Sequence, residues 1–222
     1  MLNQSLNIAT ASFSENRKAG LMICGINWGG SADNPSGNEP ASFFSDVRYN
    51  NYPYRNRLLK WFELLGHPLE CTEEKAGPFE RSIVQTNWLS SQSPNMHGKS
   101  LYTECVHEWG NFAFHVETLQ PKLVVFLSVT LLDILNSATC IENARRLFGA
   151  ETSAQLMRKD VLTEGKVLKR FRIGMQRFGG TQIIALPHPT GSRGLSDEYI
   201  RTFAKDISPL LQRYKVERGF KA

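Results

Sequence analysis

The chain has 222 residues, of which 41% are hydrophobic and 21% charged, and it carries a net charge of +5. That size and balance suit one α/β domain spanning residues 1–222 with a proper core, and no apolar run approaches membrane-spanning length. Met1 to Gly20 is polar and lacks the apolar stretch of a secretory leader, so a cytosolic protein without a membrane partner is expected.

Leu21 to Gly25 reads as a buried strand running into Ile26-Asn27-Trp28-Gly29-Gly30. Asn27 to Pro53 is a long loop rich in Gly, Asn, Ser and Pro that contains Phe43 and Phe44; a loop of this length is functional or disordered. Arg55 to Leu65 predicts a helix with Leu58, Leu59, Phe62 and Leu65 on one face and Gly66 as its stop. Ser82 to Thr86 predicts a strand ending in Asn87-Trp88, and Leu101 to Thr118 a helix. Leu123 to Leu127 is the clearest buried strand, followed by a short helix from Thr130 to Leu135. Cys140 to Leu162 reads as an irregular or helical insertion. Lys166 to Phe178 alternates, with Phe171, Ile173 and Met175 on one face and Arg170 and Arg172 on the other. Gly179-Gly180 signals a turn before a strand over Thr181 to Leu186. Ser196 reads as the N-cap of a final helix burying Tyr199, Phe203, Ile207 and Leu210. Strands alternating with helices imply a mostly parallel sheet covered on both faces.

Two strand ends carry the candidate chemistry. Gly25 to Gly30 is a weak phosphate-loop match, since it lacks both the third glycine of a dinucleotide fingerprint and the Lys-Ser/Thr of a P-loop. Pro187 and Pro189 hold His188 in a set direction at a strand's carboxyl end, where open α/β sheets build their sites, although a structural turn histidine fits equally. Asn87 offers a donor and an acceptor that can read a base edge, or it bonds its own turn. His107 and His115 lack the Glu of a zincin pair and read as packing residues, and His67 and His97 as loop residues. The four cysteines, Cys24, Cys71, Cys105 and Cys140, form no Cys-x-x-Cys pair, so buried free thiols are expected and neither a metal nor a cofactor. The isoelectric point near 9.1 leans mildly towards polyanions. Lys166, Lys169, Arg170, Arg172 and Arg177, interleaved with Phe171 and Phe178, could track a phosphate backbone or simply protect an edge strand.

Taken together these segments resemble the uracil-DNA glycosylase superfamily. Gly25-Ile26-Asn27 with Gly29 is similar to its first motif, with Trp28 in place of a proline, and His188-Pro189-Thr190 to its second, usually His-Pro-Ser. Thr86-Asn87 matches the strand end whose Asn reads the base, and Phe43 or Phe44 falls where the family places an aromatic against it. The resemblance implies a three-layer α/β/α fold around a four-stranded, mostly parallel sheet, a monomer, and a DNA partner whose target nucleotide is flipped into the pocket. It implies that Asn27 positions water and that His188 stabilises the departing base, with Gly25, Ile26, Trp28, Gly29 and Asn87 around that base. Thr190, Ser192, Arg193, Leu195, Arg170 and Arg172 would contact DNA, with Arg193 or Leu195 filling the gap left by the flipped nucleotide. The uracil-specific enzymes carry a Tyr two residues after the water-positioning residue, which blocks groups at C5. Gly29 stands there in this chain, so bulky 5-substituted pyrimidines, as in modified phage DNA, are expected to enter. A catalytically silent DNA-binding protein and a nucleoside or nucleotide hydrolase are the competing expectations.

Overall fold

The computed structural model describes residues 6–28, 30–31, 34–35, 43–47, 52–72, 75–91, 99–158, 161–163, 166–168, 172–190, 192 and 195–220. In chain order the elements are α1 (Ser14–Arg17), β1 (Leu21–Gly25), β2 (Gly30–Ser31), β3 (Asn34–Pro35), α2 (Pro53–Leu64), β4 (Cys71–Thr72), β5 (Lys75–Ala76), α3 (Pro78–Arg81) and β6 (Ile83–Asn87). They continue with α4 (Lys99–His107), α5 (Trp109–Leu119), β7 (Leu123–Phe126), α6 (Val129–Leu135), α7 (Ile141–Phe148), β8 (Leu156–Arg158), β9 (Val161–Thr163) and β10 (Lys166–Leu168). The last four are β11 (Ile173–Phe178), β12 (Thr181–Ala185), α8 (Asp197–Thr202) and α9 (Ala204–Glu217).

The main sheet runs β6-β1-β7-β12-β11-β8. Its first four strands are mutually parallel, while β11 and β8 join antiparallel. The parallel strands are apolar runs because both of their faces are covered. Leu21, Ile23, Leu123, Val125 and Ile184 share a cluster with Leu58 and Trp61 of α2, Tyr199 of α8 and Leu211 of α9. Met22, Cys24, Val124, Phe126 and Ile183 point the other way, into Cys105 of α4, Phe112 of α5, Leu132 of α6 and Ala144 of α7. The result is three layers, helices on sheet on helices. The outer edge of β6 is covered by the chain before α1: Ala9 N donates to Gln85 O at 2.9 Å and Thr86 Oγ1 to Asn7 O at 2.7 Å.

The sheet is wider than the four strands expected, and its parallel core is those four. The extra two come from the stretch read as an insertion, where β8 follows α7, and from the alternating Lys166–Phe178 segment. That segment divides into β10, which pairs only with β9 as a separate hairpin, and β11. The single helix expected over Leu101–Thr118 divides at Glu108, whose carboxylate accepts both Ser90 N and Ser90 Oγ at 2.6 Å. Ser196 does cap α8, accepting from Tyr199 N at 3.1 Å. The final helix turns a corner at Phe203, after which the core stripe runs Ile207, Leu211 and Tyr214, and Leu210 is only partly buried. Gly66, at φ +81°, adopts the left-handed conformation that ends α2. No helix among the described residues is long and apolar enough to cross a membrane.

Candidate functional site

After β1 the chain moves through α2, on one face, to β6; after β7 it moves through α6, on the other face, towards β12. The loops leaving β1 and β7 therefore diverge, opening a crevice at their carboxyl ends, the position where open α/β sheets bind ligands. Asn27 follows β1 and His188 follows β12, one strand beyond β7. Two interstrand spacings of about 4.8 Å place their strands roughly 10 Å apart.

The first wall is built from two loops that continue the parallel pairing past the strand ends. Trp88 N donates to Gly25 O at 2.9 Å, Leu89 N to Ile26 O at 2.9 Å, and Trp28 N to Ser91 O at 3.3 Å. Asn27 thus sits between two anchored residues. Gly25 pairs with Asn87 in register, and the Asn87 carboxamide lies directly over it: a Cβ at position 25 would stand 2.2 Å from Oδ1. Asn87 is 7% exposed, yet its carboxamide makes no hydrogen bond among the described residues. Its polar atoms are not among the buried ones left without a partner, so the carboxamide keeps an opening to solvent through which another group can meet it. The loop beyond Gly25 leads to the two-residue β2 and not to a helix, so the dipole-assisted phosphate cradle of a P-loop is missing.

The second wall is Leu186-Pro187-His188-Pro189-Thr190. Leu186 N donates to Phe126 O at 2.8 Å, fixing the loop's root. Thr190 N donates to His188 Nδ1 at 3.3 Å, with Thr190 Oγ1 3.5 Å away, so the ring proton of the neutral imidazole resides on Nε2. Burial holds His188 below the usual imidazole range. Tyr54, in the first turn of α2, packs its ring 6.1 Å from that of His188, and burial, aided by the Cys24 thiol, pushes its phenol far above the ordinary value. The loop then folds back: Ser192 N donates to His188 O at 3.3 Å, Leu195 N to Ser192 O at 3.2 Å, and the Arg57 guanidinium to Leu195 O.

The residues named from the sequence separate into groups. Gly25, Ile26, Asn27, Trp28, Asn87, His188 and Thr190 lie at the carboxyl edge around the crevice. Gly29, Arg170 and Arg193 lie outside the described residues. Leu195 is 5% exposed and belongs to the core cluster, which removes it as a wedge into a duplex. Phe44 is likewise core, packed with Leu58 and Trp61, while Phe43 is half-buried and outside that cluster. Arg172 pairs with Asp133 at 3.1 Å, so a phosphate must compete with a carboxylate for it. Arg177 lies near the opposite end of β11 from Arg172.

Tyr54 and Arg57 gave no sequence signal beyond ordinary helix positions. The same holds for a buried clamp on the segment carrying Phe43: Glu80 accepts Ser45 N and Ser45 Oγ, each at 2.6 Å, and Arg55 donates to Asp46 O at 2.7 Å. Burial raises the Glu80 carboxyl despite those bonds. Among the described residues no cluster of His, Cys, Asp or Glu is arranged to hold a metal, and Cys24, Cys105 and Cys140 are buried free thiols.

No family model and no curated protein matches this chain. Among solved structures it is similar to the crystal structure of a domain of unknown function from Bordetella bronchiseptica, a domain-swapped dimer with bound citrate, at 10% identity and a TM-score of 0.29. That match covers 94% of this chain and 43% of the other, so the chain spans less than half the length of the protein it matches.

Proposed function

We propose that the protein is a monofunctional DNA glycosylase that hydrolyses the N-glycosidic bond of a flipped pyrimidine and leaves an abasic site. The observation that carries this reading is the Asn87 carboxamide, on a largely buried residue, without a hydrogen bond among the described residues, and held at the same edge as Asn27 and His188. Such a group is built to meet the polar edge of a base. As the bond breaks, its electron pair passes to the base and the sugar gains positive charge. His188 meets the negative charge as a neutral donor through Nε2–H, which costs little when burial already disfavours the imidazolium. Asn27 orients the water that attacks the anomeric carbon; a neutral amide is no strong base, so its contribution is placement. By the sequence resemblance, position 29 carries a glycine where uracil-specific enzymes carry a tyrosine, which extends the proposed substrate class to bulky 5-substituted cytosines and suits a role against modified phage DNA. The reading includes a cytosolic protein working as a monomer; the buried free thiols Cys24, Cys105 and Cys140 suit a reducing compartment.

The test is abasic-site formation on duplex and single-stranded DNA containing uracil, mismatched bases or 5-substituted cytosines. Excision by the wild type and a loss of about 10²-fold or more in Asn27→Ala and His188→Ala supports the reading. DNA binding without excision of any base would make it a silent binding protein. Equal rates on free nucleosides and oligonucleotides would make it a nucleoside hydrolase. Excision of plain uracil alone would overturn the C5 assignment.

A further inference from the structure

At the amino edge of the sheet, opposite the crevice, three cations converge from three parts of the fold. Lys122 precedes β7, Arg177 lies near the end of β11, and Arg213 is on α9; with Gly180, Gln182 and Glu217 they line one notch. The Lys122 ammonium lies over Gly180, where an added Cβ would stand 3.2 Å from Nζ. Arg81, Arg145, Arg172 and Arg201 each pair with a carboxylate. The side chains of Lys122, Arg177 and Arg213 form no ion pair or hydrogen bond among the described residues. Three like charges line one notch, so an anion at its mouth meets all of them. The only acid in the lining, Glu217, bonds to none of them and offers an acceptor to a hydroxyl or N–H.

Past Lys122 and Gly180 the notch continues into a cleft of about 370 Å³, walled on its apolar side by Val116, Pro121, Leu147 and Phe148. That volume falls within the range of small-ligand sites. The cationic end and the apolar end share Lys122 and Gly180, so one molecule can occupy both.

We propose that this double pocket binds a phosphate monoester carrying a flat, uncharged body, the chemistry of a nucleoside monophosphate. The notch itself has only about 10 Å³ free, so the phosphate sits at its mouth, met by the exposed Lys122 and Arg213 side chains and by Arg177, where two guanidinium forks match its oxygens. The body lies in the cleft, with its hydroxyls towards Glu217 or Gln120. The four residues of β7, at about 3.3 Å each, separate this pocket from the crevice by roughly 13 Å. It is therefore a second site, independent of the glycosylase reading.

Calorimetry of the full chain without DNA tests it, using uridine and adenosine monophosphates, the matching nucleosides and inorganic phosphate as probes. At least one monophosphate is expected to bind saturably and tighter than both its nucleoside and inorganic phosphate. The surface variant Arg177→Gln/Arg213→Gln, with an unchanged melting curve in the absence of ligand, is expected to weaken it at least ten-fold, and Leu147→Asp to weaken the monophosphate while leaving inorganic phosphate unchanged. The proposal is overturned if no monophosphate binds saturably at millimolar concentration, if the double variant binds as tightly as the wild type, or if inorganic phosphate binds as tightly as every monophosphate. Excision assays play no part in the readout, so the two proposals fail separately.

Discussion

Gly25→Ala isolates the contact on which the first wall rests. The new Cβ would stand 2.2 Å from Asn87 Oδ1. Favourable contacts between heavy atoms begin near about 3.5 Å, so the amide must retreat by more than about 1 Å. Asn87 is 7% exposed and Gly25 belongs to a fully buried strand, so neither can move aside freely. Overpacking of this kind costs about 1–3 kcal/mol, and in a chain of this size each kcal/mol lowers Tm by about 2–4 °C. Asn87→Ala alone should cost less than about 1 kcal/mol, because the carboxamide leaves no protein partner orphaned. The double variant Gly25→Ala/Asn87→Ala should then recover most of the loss, a coupling of about 1 kcal/mol or more. Urea and thermal unfolding of the three variants measure this, and base excision should vanish in all three. A Gly25→Ala protein as stable as the wild type, or a loss that persists in the double variant, would refute the placement of the amide over the glycine.

Further expectations concern His67 and His188, the core and the clamp. Burial lowers the pKa of both His67 and His188 in the folded chain, so on acidification below about 6.5 the unfolded chain takes up protons first. Stability should be full above that value and fall as pH drops; urea midpoints at several pH values show it, and His67→Gln should flatten the slope. Because neutral His188 is the donor, single-turnover excision should stay level from alkaline pH down through 6.5 and decline only below it. Leu195→Ala should cost about 2–5 kcal/mol in urea unfolding, as truncation of a core leucine does, whereas a wedge residue would lose DNA affinity with stability intact. Glu80→Ala should destabilise by about 3 kcal/mol, since Arg55 would remain buried beside unpaired donors of Ser45; a change within about 0.5 kcal/mol would show that the clamp is dispensable.

The parallel core was legible because strands covered on both faces must be apolar throughout, as Leu21 to Cys24 and Leu123 to Phe126 are. β8 and β11 were harder to read. A three-residue strand has too little length for periodicity, and the alternation across Lys166–Phe178 runs through both β10 and β11 without marking the division between them. The helix break at Glu108 depends on Ser90, eighteen positions away, a contact no local pattern encodes. At the crevice, Asn27, Asn87 and His188 stood out as polar residues closing apolar runs. Tyr54 did not, because a tyrosine in the first turn of a helix is ordinary until the fold brings His188 against it. Leu195 misled for the opposite reason: next to Arg193 and Gly194 it read as exposed loop, whereas its backbone and side chain are both tied to α2 and the core.

The hydrogen bonds that carry the pairing of β1 and β6 past their ends, from Gly25 to Ser91, join the two asparagine loops into one mechanical unit. Their amides should exchange with solvent together, not loop by loop. A change that reshapes one loop is then transmitted to the other, so the group that orients water and the group that reads a base cannot be retuned separately. New base preferences in such a frame would arise through paired substitutions, or through the His188 loop across the crevice, which is anchored elsewhere.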